Sequence, residues 1–592
     1  MSTERPRPTA RRLQRHIAAL GGVWLLLAAS HAAAQGGPIQ LFPDLETETP
    51  PQPEAPSTLR SEGEADAPRG FRVEGLAAPG IDAIGLAGPA EGGFDQSLWA
   101  GSDGELILTL LRGLPVATEN PPLHALARRL LMTGAPFEGL AEPGSVLGAR
   151  AGRLLAMGDL DGASALLDRV PATNEDSQIA RLVVQAALLR GDPETACSRA
   201  ADIGPTSDAA FWAKVTIYCR LVDGDRDGAR LGLDLLREQG QTDDDAFFAL
   251  VEMIAAGQPG AVPLGPGGPS AVHVALYRLA DLPLPRQALV SASPELLAVA
   301  AREPRLVADN RLAVAERAFL LGALSADGLA EQYRQVAPDP GANVLRQIGT
   351  AWGPRTRALA YDALPEPGTP ERGQVLDALW REAQGSERFL IAELFAVPFA
   401  ELPVERGRLR LAPSAGRALL AAERPIPAAR WYSLLSGEAI GDQQAREDLV
   451  SLTPLFALAG FGGSVAVPDF DSEAMDAWLA GTPDAQARAG HLLALLEGVG
   501  VPVPDTAWQR LIAGPGQGPV PAPPAPLWRA LDRAAAERRL GETVLLALHM
   551  LGGAPQTTHP EAVAAGLRGL RAVGLNQEAR AIAMATALQM GL

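Results

Sequence analysis

The sequence predicts an all-α protein, an α-solenoid of stacked helix–turn–helix repeats that follows a disordered N-terminal tether. Two observations predict this class. A Gly-Asp pair, followed by an alanine, recurs with a period of 33 residues, and no segment shows the period-two alternation of a β-strand over any length. A unit of about this size is one helical hairpin, which cannot bury its own apolar face and therefore stacks on its neighbours.

The repeat is clearest between residues 147 and 257. A glycine allows the left-handed backbone that ends a first helix, and the aspartate after it caps the second helix. The alanine five positions after the glycine lets the two helices approach closely. The residues that define the repeat are Gly158, Gly191, Gly224, Ala163, Ala196 and Ala229.

This order of residues, Leu-x-x-Gly-Asp-x-x-x-Ala followed by apolar residues nine and twelve after the glycine, resembles the tetratricopeptide repeat. Fainter copies occur at Leu420–Leu435, where Glu423 replaces the glycine, and around Gly574. The period is 33 rather than 34, and the aromatic residues of the family's first helix are mostly missing. The resemblance implies stacked hairpins, and such stacks present concave surfaces that bind peptides or partner domains.

Residues 1–34 are predicted to be a secretory signal peptide. Five arginines precede an apolar core from Ile17 to Ser30, and small residues lead to a cleavage site between Ala34 and Gln35. An uncleaved anchor is the alternative, but the apolar run is short for a membrane span. No later segment is long and apolar enough to cross a bilayer, so we expect a periplasmic protein without a membrane span after cleavage.

Changes in composition divide the rest of the chain. A Pro- and Glu-rich segment should remain disordered because it cannot bury enough apolar surface, and residues 71–93 should form an extended cap over the first helices. Ser102 and Glu105 have the spacing of a capping box at the start of a helix, and Pro121 opens the next helix. The predicted regions are 35–70 (disordered linker), 71–257 (N-terminal repeats with the cap), 271–460 (middle helical repeats) and 471–592 (C-terminal helices, with a Pro/Gly linker at 514–526).

The chain contains two cysteines, Cys197 and Cys219, 22 residues apart. They fall in the second helix of one repeat and the first helix of the next, which are neighbours in stacked hairpins. We predict a disulfide between them, because export leads to an oxidising compartment; two buried free thiols are the alternative. Two thiols without a nearby pair of histidines do not indicate a zinc site.

The segment Asp223–Gly228 has carboxylates at alternate positions and a glycine at the sixth, as a calcium loop does, with Asp234 at the twelfth. It coincides with a turn between the two helices of a repeat, which already accounts for Gly224 and Asp225. We interpret it as a solvated turn, and stoichiometric calcium binding would argue for the alternative.

No catalytic constellation emerges from the sequence. Ser102 and Ser464 stand in Gly-rich contexts that lack the strand or the final glycine of a nucleophile elbow. The histidines that would remain after signal cleavage are not spaced as metal ligands: His124, His273, His491, His549 and His559. We therefore predict no catalytic, cofactor-binding or metal-binding residues.

The net charge of −18 argues against a nucleic-acid-binding surface, because phosphates require a positive partner. Lys214 is the only lysine, so the basic charge is carried by arginine. An acidic scaffold suits a protein or peptide partner with a basic face. The predicted function is that of an exported scaffold for protein–protein interaction in the cell envelope. The alternatives are a cell-wall-active enzyme built on a helical superhelix, or a structural spacer.

Overall fold

The computed structural model describes residues 80–592 except 138, 140–141, 172–175, 203–207, 259, 261, 263–267, 338–340, 342, 462–469, 482–484, 514–519 and 521. The predicted signal peptide, its cleavage site at Ala34 and Gln35, and the linker at 35–70 lie outside these residues. Within them the chain forms 29 α-helices, four short 3-10 helices and no strand. A single bridge joins Ala87 to Thr133. The predicted all-helical class is thus confirmed for the described part of the chain.

Ten helices lie in or next to the predicted N-terminal repeats. They are α1 (Gly104–Arg112), α2 (Pro121–Met132), α3 (Ser145–Ala156), α4 (Leu160–Leu167), α5 (Ser177–Arg190), α6 (Pro193–Ala201), α7 (Ala209–Val222), α8 (Arg226–Glu238), α9 (Asp245–Ala256) and α10 (Ala271–Leu279). The next ten are α11 (Arg286–Val290), α12 (Pro294–Ala300), α13 (Ala308–Leu320), α14 (Ala326–Arg334), α15 (Val344–Thr350), α16 (Pro354–Asp362), α17 (Pro370–Glu382), α18 (Glu387–Leu394), α19 (Ala396–Ala400) and α20 (Ala412–Ala421). The last nine are α21 (Pro425–Glu438), α22 (Gln443–Leu458), α23 (Ser472–Gly481), α24 (Ala485–Gly498), α25 (Asp505–Ala513), α26 (Ala525–Ala536), α27 (Leu540–Leu551), α28 (Pro560–Ala572) and α29 (Asn576–Gln589).

The glycines of the 33-residue pattern lie at the turns between paired helices. Gly158, Gly191 and Gly224 have φ angles of +82°, +80° and +79°, a left-handed conformation that disfavours residues with a Cβ. Each glycine ends the helix before it, and the next helix begins within two residues. The alanines five positions later, at 163, 196 and 229, are fully buried. The pattern therefore coincides with a recurring helix–turn–helix unit from α3 to α8.

The aspartate after each of these glycines caps the following helix. The side chain of Asp159 accepts a hydrogen bond from the backbone N–H of Gly162, and Asp225 accepts one from Gly228. Asp192 does the same with the N–H of Thr195 at 3.0 Å. Each cap satisfies one of the backbone donors that a helix N-terminus leaves without an intrahelical partner.

We expect Asp192→Ala to lower the free energy of unfolding by about 1 kcal/mol at pH 7, as the loss of a helix cap does. Interactions with the Thr195 hydroxyl and backbone N–H lower the pKa of Asp192. The stabilisation is therefore present above the pKa of the unfolded carboxyl and is lost as the pH falls through the folded one. Urea denaturation at pH 7 and pH 3 checks this. Asp192→Asn, which keeps an accepting oxygen, should lose less; an equal loss in both variants would contradict capping.

The repeats are packed on one side by helices from the middle of the chain. α10 contacts α5 and α7, and α12 contacts α3 and α5. Arg278 on α10 donates to the carbonyl oxygens of Leu188 and Leu189 at the end of α5, at 3.0 and 2.7 Å. A guanidinium suits this position, because it presents several donors and the carbonyl end of a helix carries partial negative charge. The chain itself thus occupies this side of α3, α5 and α7.

The last helices pack directly against the first ones. α27 contacts α1 and α2, and α29 contacts α2. Gly541, at the start of α27, donates its N–H to the carbonyl of Leu98 at 2.9 Å. A Cβ at Gly541 would lie 2.6 Å from the ring of Trp99, so the close approach of these two segments requires a glycine.

The start of the described chain differs from the expectation at the first helix. The capping box at Ser102 and Glu105 is wrong: α1 begins at Gly104, and the Asp103 side chain accepts from the Leu106 N–H at 2.9 Å. A carboxylate accepts more strongly than a hydroxyl, because it is charged. Of the predicted cap, residues 80–93 are described, and they contain two 3-10 helices, Ile81–Ala83 and Pro89–Glu91, joined by residues without regular structure. The buried Asp82 accepts hydrogen bonds from three backbone N–H groups at the start of α3 (Gly144, Val146 and Leu147).

Within the described residues, no helix combines the length and the apolar character that crossing a bilayer requires.

Candidate functional site

A cavity of about 830 Å³ lies where several helix ends meet. Its walls come from α2, the turn between α13 and α14, α18, the turn between α20 and α21, and α29. This volume falls in the range of ligand pockets, and such pockets combine an apolar lining with a few polar groups. The buried part of the lining is apolar and includes Phe389, Leu420 and Met584.

Glu423 occupies an unusual backbone position at the rim of this cavity. It lies in the turn between α20 and α21. The corresponding turns of the N-terminal repeats carry a glycine at this position. The φ angle of Glu423 is +54°, and a left-handed conformation costs a residue with a Cβ about 1–2 kcal/mol. Gly322, at the turn between α13 and α14, has a φ angle of +73° and lines the same cavity. A carboxylate thus stands where a glycine would fit without strain.

Two carboxylates in the cavity have no ion-pair partner among the described residues. They are Glu393 and Glu423, and both side chains are exposed to solvent. The surrounding protein partly desolvates the Glu423 carboxylate, which raises its pKa, and repulsion from Glu393 raises that pKa further. The two carboxylates are therefore close enough to interact, and the carboxylates that line the cavity (Glu393, Glu423 and Glu578) outnumber its guanidiniums (Arg129 and Arg580).

The other charged groups in the cavity are already engaged. Arg129 donates to the Glu578 carboxylate at 2.7 Å. Arg580 donates to the carbonyl of Leu458, at the end of α22, at 3.1 Å. Arg129 is thus paired with a carboxylate, whereas Arg580 keeps its positive charge, because a backbone carbonyl is neutral; neither arginine forms an ion pair with Glu393 or Glu423.

His124, on α2, forms part of the wall beside Gly322. Burial lowers the pKa of His124 to about 4, so its ring is neutral at pH 7. The residue is 9% exposed, and its Nε2 has no hydrogen-bond partner in the described structure. A Cβ at Gly322 would lie 2.3 Å from Nε2, so the glycine makes room for the ring.

The two residues of the predicted disulfide lie in the N-terminal repeats and do not line the cavity. Cys197 on α6 and Cys219 on α7 are at disulfide distance, with Cα atoms 5.6 Å apart. This agrees with the expectation that they fall on adjacent helices of successive repeats.

The segment that resembled a calcium loop uses its carboxylates in other contacts. Asp225 caps α8, Asp227 pairs with Arg230 at 3.1 Å, and Asp234 pairs with Arg237 at 2.9 Å. In the part of the chain that the structure describes, no group of three or more metal-binding side chains comes together. The contacts are those of a solvated turn.

The histidines take separate structural positions. His491 and His549 lie at hydrogen-bond distance from backbone carbonyls, and His559 caps α28. Ser102 precedes the helix cap of α1, and Ser464 lies outside the described residues. None of these places a nucleophile beside a base.

Ser270, His273 and Asp244 form a hydrogen-bonded chain that the sequence did not suggest. His273 lies 2.8 Å from the Ser270 hydroxyl and 2.9 Å from the Asp244 carboxylate. The Ser270 backbone N–H also donates to Nδ1 at 3.1 Å, so Nε2 carries the proton toward Asp244. The histidine thus replaces the Glu or Gln of a capping box at the start of α10. Asp244 caps α9 and also accepts a hydrogen bond from Lys214 at 2.6 Å. The hydrogen bonds of this group therefore connect the N-terminus of α9 to the N-terminus of α10.

The sequence marks Glu423 only as a departure from the repeat and His124 only as a histidine without metal-ligand spacing, and it gives no reason to single out Glu393. The substitution of the turn glycine was the one local signal for this cavity. The other wall residues lie up to several hundred positions apart, and nothing local relates them.

Comparison of the chain with protein-family models, with curated proteins and with solved structures gave no match. The likeness to the tetratricopeptide repeat rests on the residues of the pattern and on the helical structure.

Proposed function

We propose that the protein is an exported, periplasmic helical-repeat scaffold that binds a protein partner. In this proposal the helix pairs from α3 to α8 are successive units of a solenoid with a period of about 33 residues. The Arg-rich, apolar N-terminus supports export through a cleaved signal. The cysteine pair at disulfide distance supports an oxidising compartment.

The observation that carries the binding function is the cavity with the two unpaired carboxylates. Because α10 and α12 occupy one side of α3 and α5, that side is not open to a partner. The cavity offers instead an apolar interior with exposed negative charge, a combination that recognises a partner through both shape and charge.

Export and binding are tested on the full chain expressed with its own N-terminus. Fractionation followed by N-terminal sequencing should find the mature protein in the periplasm, beginning at Gln35. Cross-linking in intact cells, followed by mass spectrometry, should identify a partner, and the purified partner should rebind with defined stoichiometry in calorimetry. A cytoplasmic chain that keeps Met1 would overturn export. The absence of any partner that rebinds would overturn the scaffold function.

A further inference from the structure

The charges of the cavity do not balance within the described chain. Arg129 is engaged by Glu578, and Arg580 is engaged by the carbonyl oxygen of Leu458. Neither Glu393 nor Glu423 forms an ion pair among the described residues, and the lining as a whole has three carboxylates and two guanidiniums. Two neighbouring carboxylates repel one another, and a cation placed between them would relieve that repulsion. The site is therefore complementary to positive charge.

The buried Nε2 of His124 lies in the wall of the same cavity, beside Gly322, without a hydrogen-bond partner in the described part of the chain. Buried polar atoms nearly always have a hydrogen-bond partner, yet this atom has none in a residue that is only 9% exposed. The neutral ring adds no positive charge that would repel a cation.

The backbone at Glu423 points the same way. A glycine at this turn, as at the corresponding turns of the repeats, would adopt the left-handed conformation without cost. Residues in sparsely populated conformations persist only where the surrounding structure holds them, and they are more frequent at functional sites. The strain at Glu423 keeps a carboxylate at the rim of the cavity.

The arrangement of the lining limits what kind of cation fits. The carboxylates are the exposed part, whereas Phe389, Leu420 and Met584 are the buried part. A bare cation would leave the apolar interior unused. A group that places an apolar side chain inside and positive charge at the rim would satisfy both parts.

We propose that this cavity binds a short segment of a partner protein in which an apolar side chain is flanked by arginine or lysine. This rests on the proposed scaffold function and names the chemistry of the partner. The apolar side chain enters between α18, α20 and α29, and the flanking cation pairs with Glu393 and Glu423.

The test uses the mature full chain and three probes in isothermal titration calorimetry. The probes are the blocked peptide Gly-Arg-Leu-Arg-Gly, the same peptide with glutamate in place of arginine, and octylamine. The first should bind and the second should not. Glu393→Gln combined with Glu423→Gln should weaken binding of the basic peptide about tenfold, the loss expected for two solvent-exposed charge pairs. Raising the salt from low to high concentration should weaken the wild type more than the double variant.

Binding should also depend on pH in a defined direction. Because the pKa of Glu423 is raised, the carboxylate begins to take up a proton at a higher pH than an ordinary glutamate. Affinity for the basic peptide should therefore fall as the pH is lowered through that pKa, and binding should release protons in this range. Glu423→Gln should remove part of this dependence.

Glu382→Gln is the matched control, because Glu382 is an exposed glutamate near the end of α17 that does not line the cavity. It should bind the basic peptide like the wild type, and thermal unfolding should show that all variants are folded. Peptide binding that the double variant leaves unchanged would overturn the inference. Octylamine binding with the same dependence on the two glutamates, without peptide binding, would assign the cavity to a small amphiphilic amine instead. If no probe binds although a cross-linked partner rebinds, the inference fails and the scaffold function stands; if neither occurs, both fail.

Discussion

Replacing Arg357 with alanine should lower the free energy of unfolding by about 3–5 kcal/mol, the cost of leaving a buried charge without its partner. The residue is 3% exposed. Its guanidinium donates to both carboxylate oxygens of Glu316, at 2.8 and 2.5 Å, and to Glu387 at 3.1 Å. Tyr333 donates its hydroxyl to the same Glu316 carboxylate. The group joins α13, α14, α16 and α18, so its loss affects four helices at once.

The physical reason for the large effect is the fate of Glu316, which is 5% exposed. Without Arg357 its carboxylate stays in a region of low dielectric without its counter-charge. Urea denaturation at pH 7, followed by circular dichroism, measures the loss.

Arg355→Ala is the control for this substitution. Arg355 is on the same helix, but its side chain is 54% exposed and lies 3.6 Å from an exposed Asp309. An exposed pair of this kind contributes about 0–1 kcal/mol, so the variant should unfold almost as the wild type does. Comparable losses in Arg355→Ala and Arg357→Ala would show that the buried group has no special role. The double variant Arg357→Met with Glu316→Leu should recover much of the loss, because it leaves no buried charge.

The helical class and the turns of the repeats were accessible from sequence because their chemistry is local. A glycine such as Gly191 and a cap such as Asp192 act on neighbours within a few residues, so their spacing records the structure directly. Even here the limit is visible. Sequence spacing favoured Ser102 as the cap of α1, whereas the adjacent Asp103 forms the cap, since two side chains compete for the same backbone donors.

The cavity and the buried ion pair were not accessible, because they depend on which helix faces meet. Glu316 and Arg357 are 41 residues apart, and the cavity joins residues from α2 to α29. Because most helices of this chain pack through alanine and leucine, their sequences do not show which helix packs against which. Nothing near His124 indicates that it will face Gly322.

The composition did contain one long-range signal, the nearly complete use of arginine over lysine. Arg278, Arg388 and Arg580 each donate to carbonyl oxygens at the end of a helix that is distant in sequence. An arginine reaches such positions with several donors in a fixed plane, whereas a lysine offers a compact and strongly hydrated charge. The acidic chain thus uses several of its arginines as internal connections between helices that are distant in sequence.

The second large effect should come from the cysteine pair. α6 buries only Ala196 completely, so few buried apolar side chains hold it in place and the link from Cys197 to Cys219 restrains it. The two residues are 22 apart in sequence. Constraining an unfolded loop of this length stabilises the folded state by about 3 kcal/mol. Reduction of the wild type, or the double substitution Cys197→Ala and Cys219→Ala, should lower the free energy of unfolding by this amount.

Urea denaturation with and without a thiol reductant distinguishes the effect of the disulfide bond from the effect of replacing the two cysteine side chains. The wild type should shift to a lower midpoint on reduction, whereas the double alanine variant should start low and show no further change. Hydrogen exchange should show the first loss of protection in α6, because the rest of the repeat has more buried apolar contacts. A wild-type midpoint that reduction leaves unchanged would contradict the prediction. Since such bonds persist in oxidising compartments, the thiols of protein isolated from the periplasm should resist alkylation until they are reduced, and cytoplasmic protein should react at once and unfold at the lower midpoint.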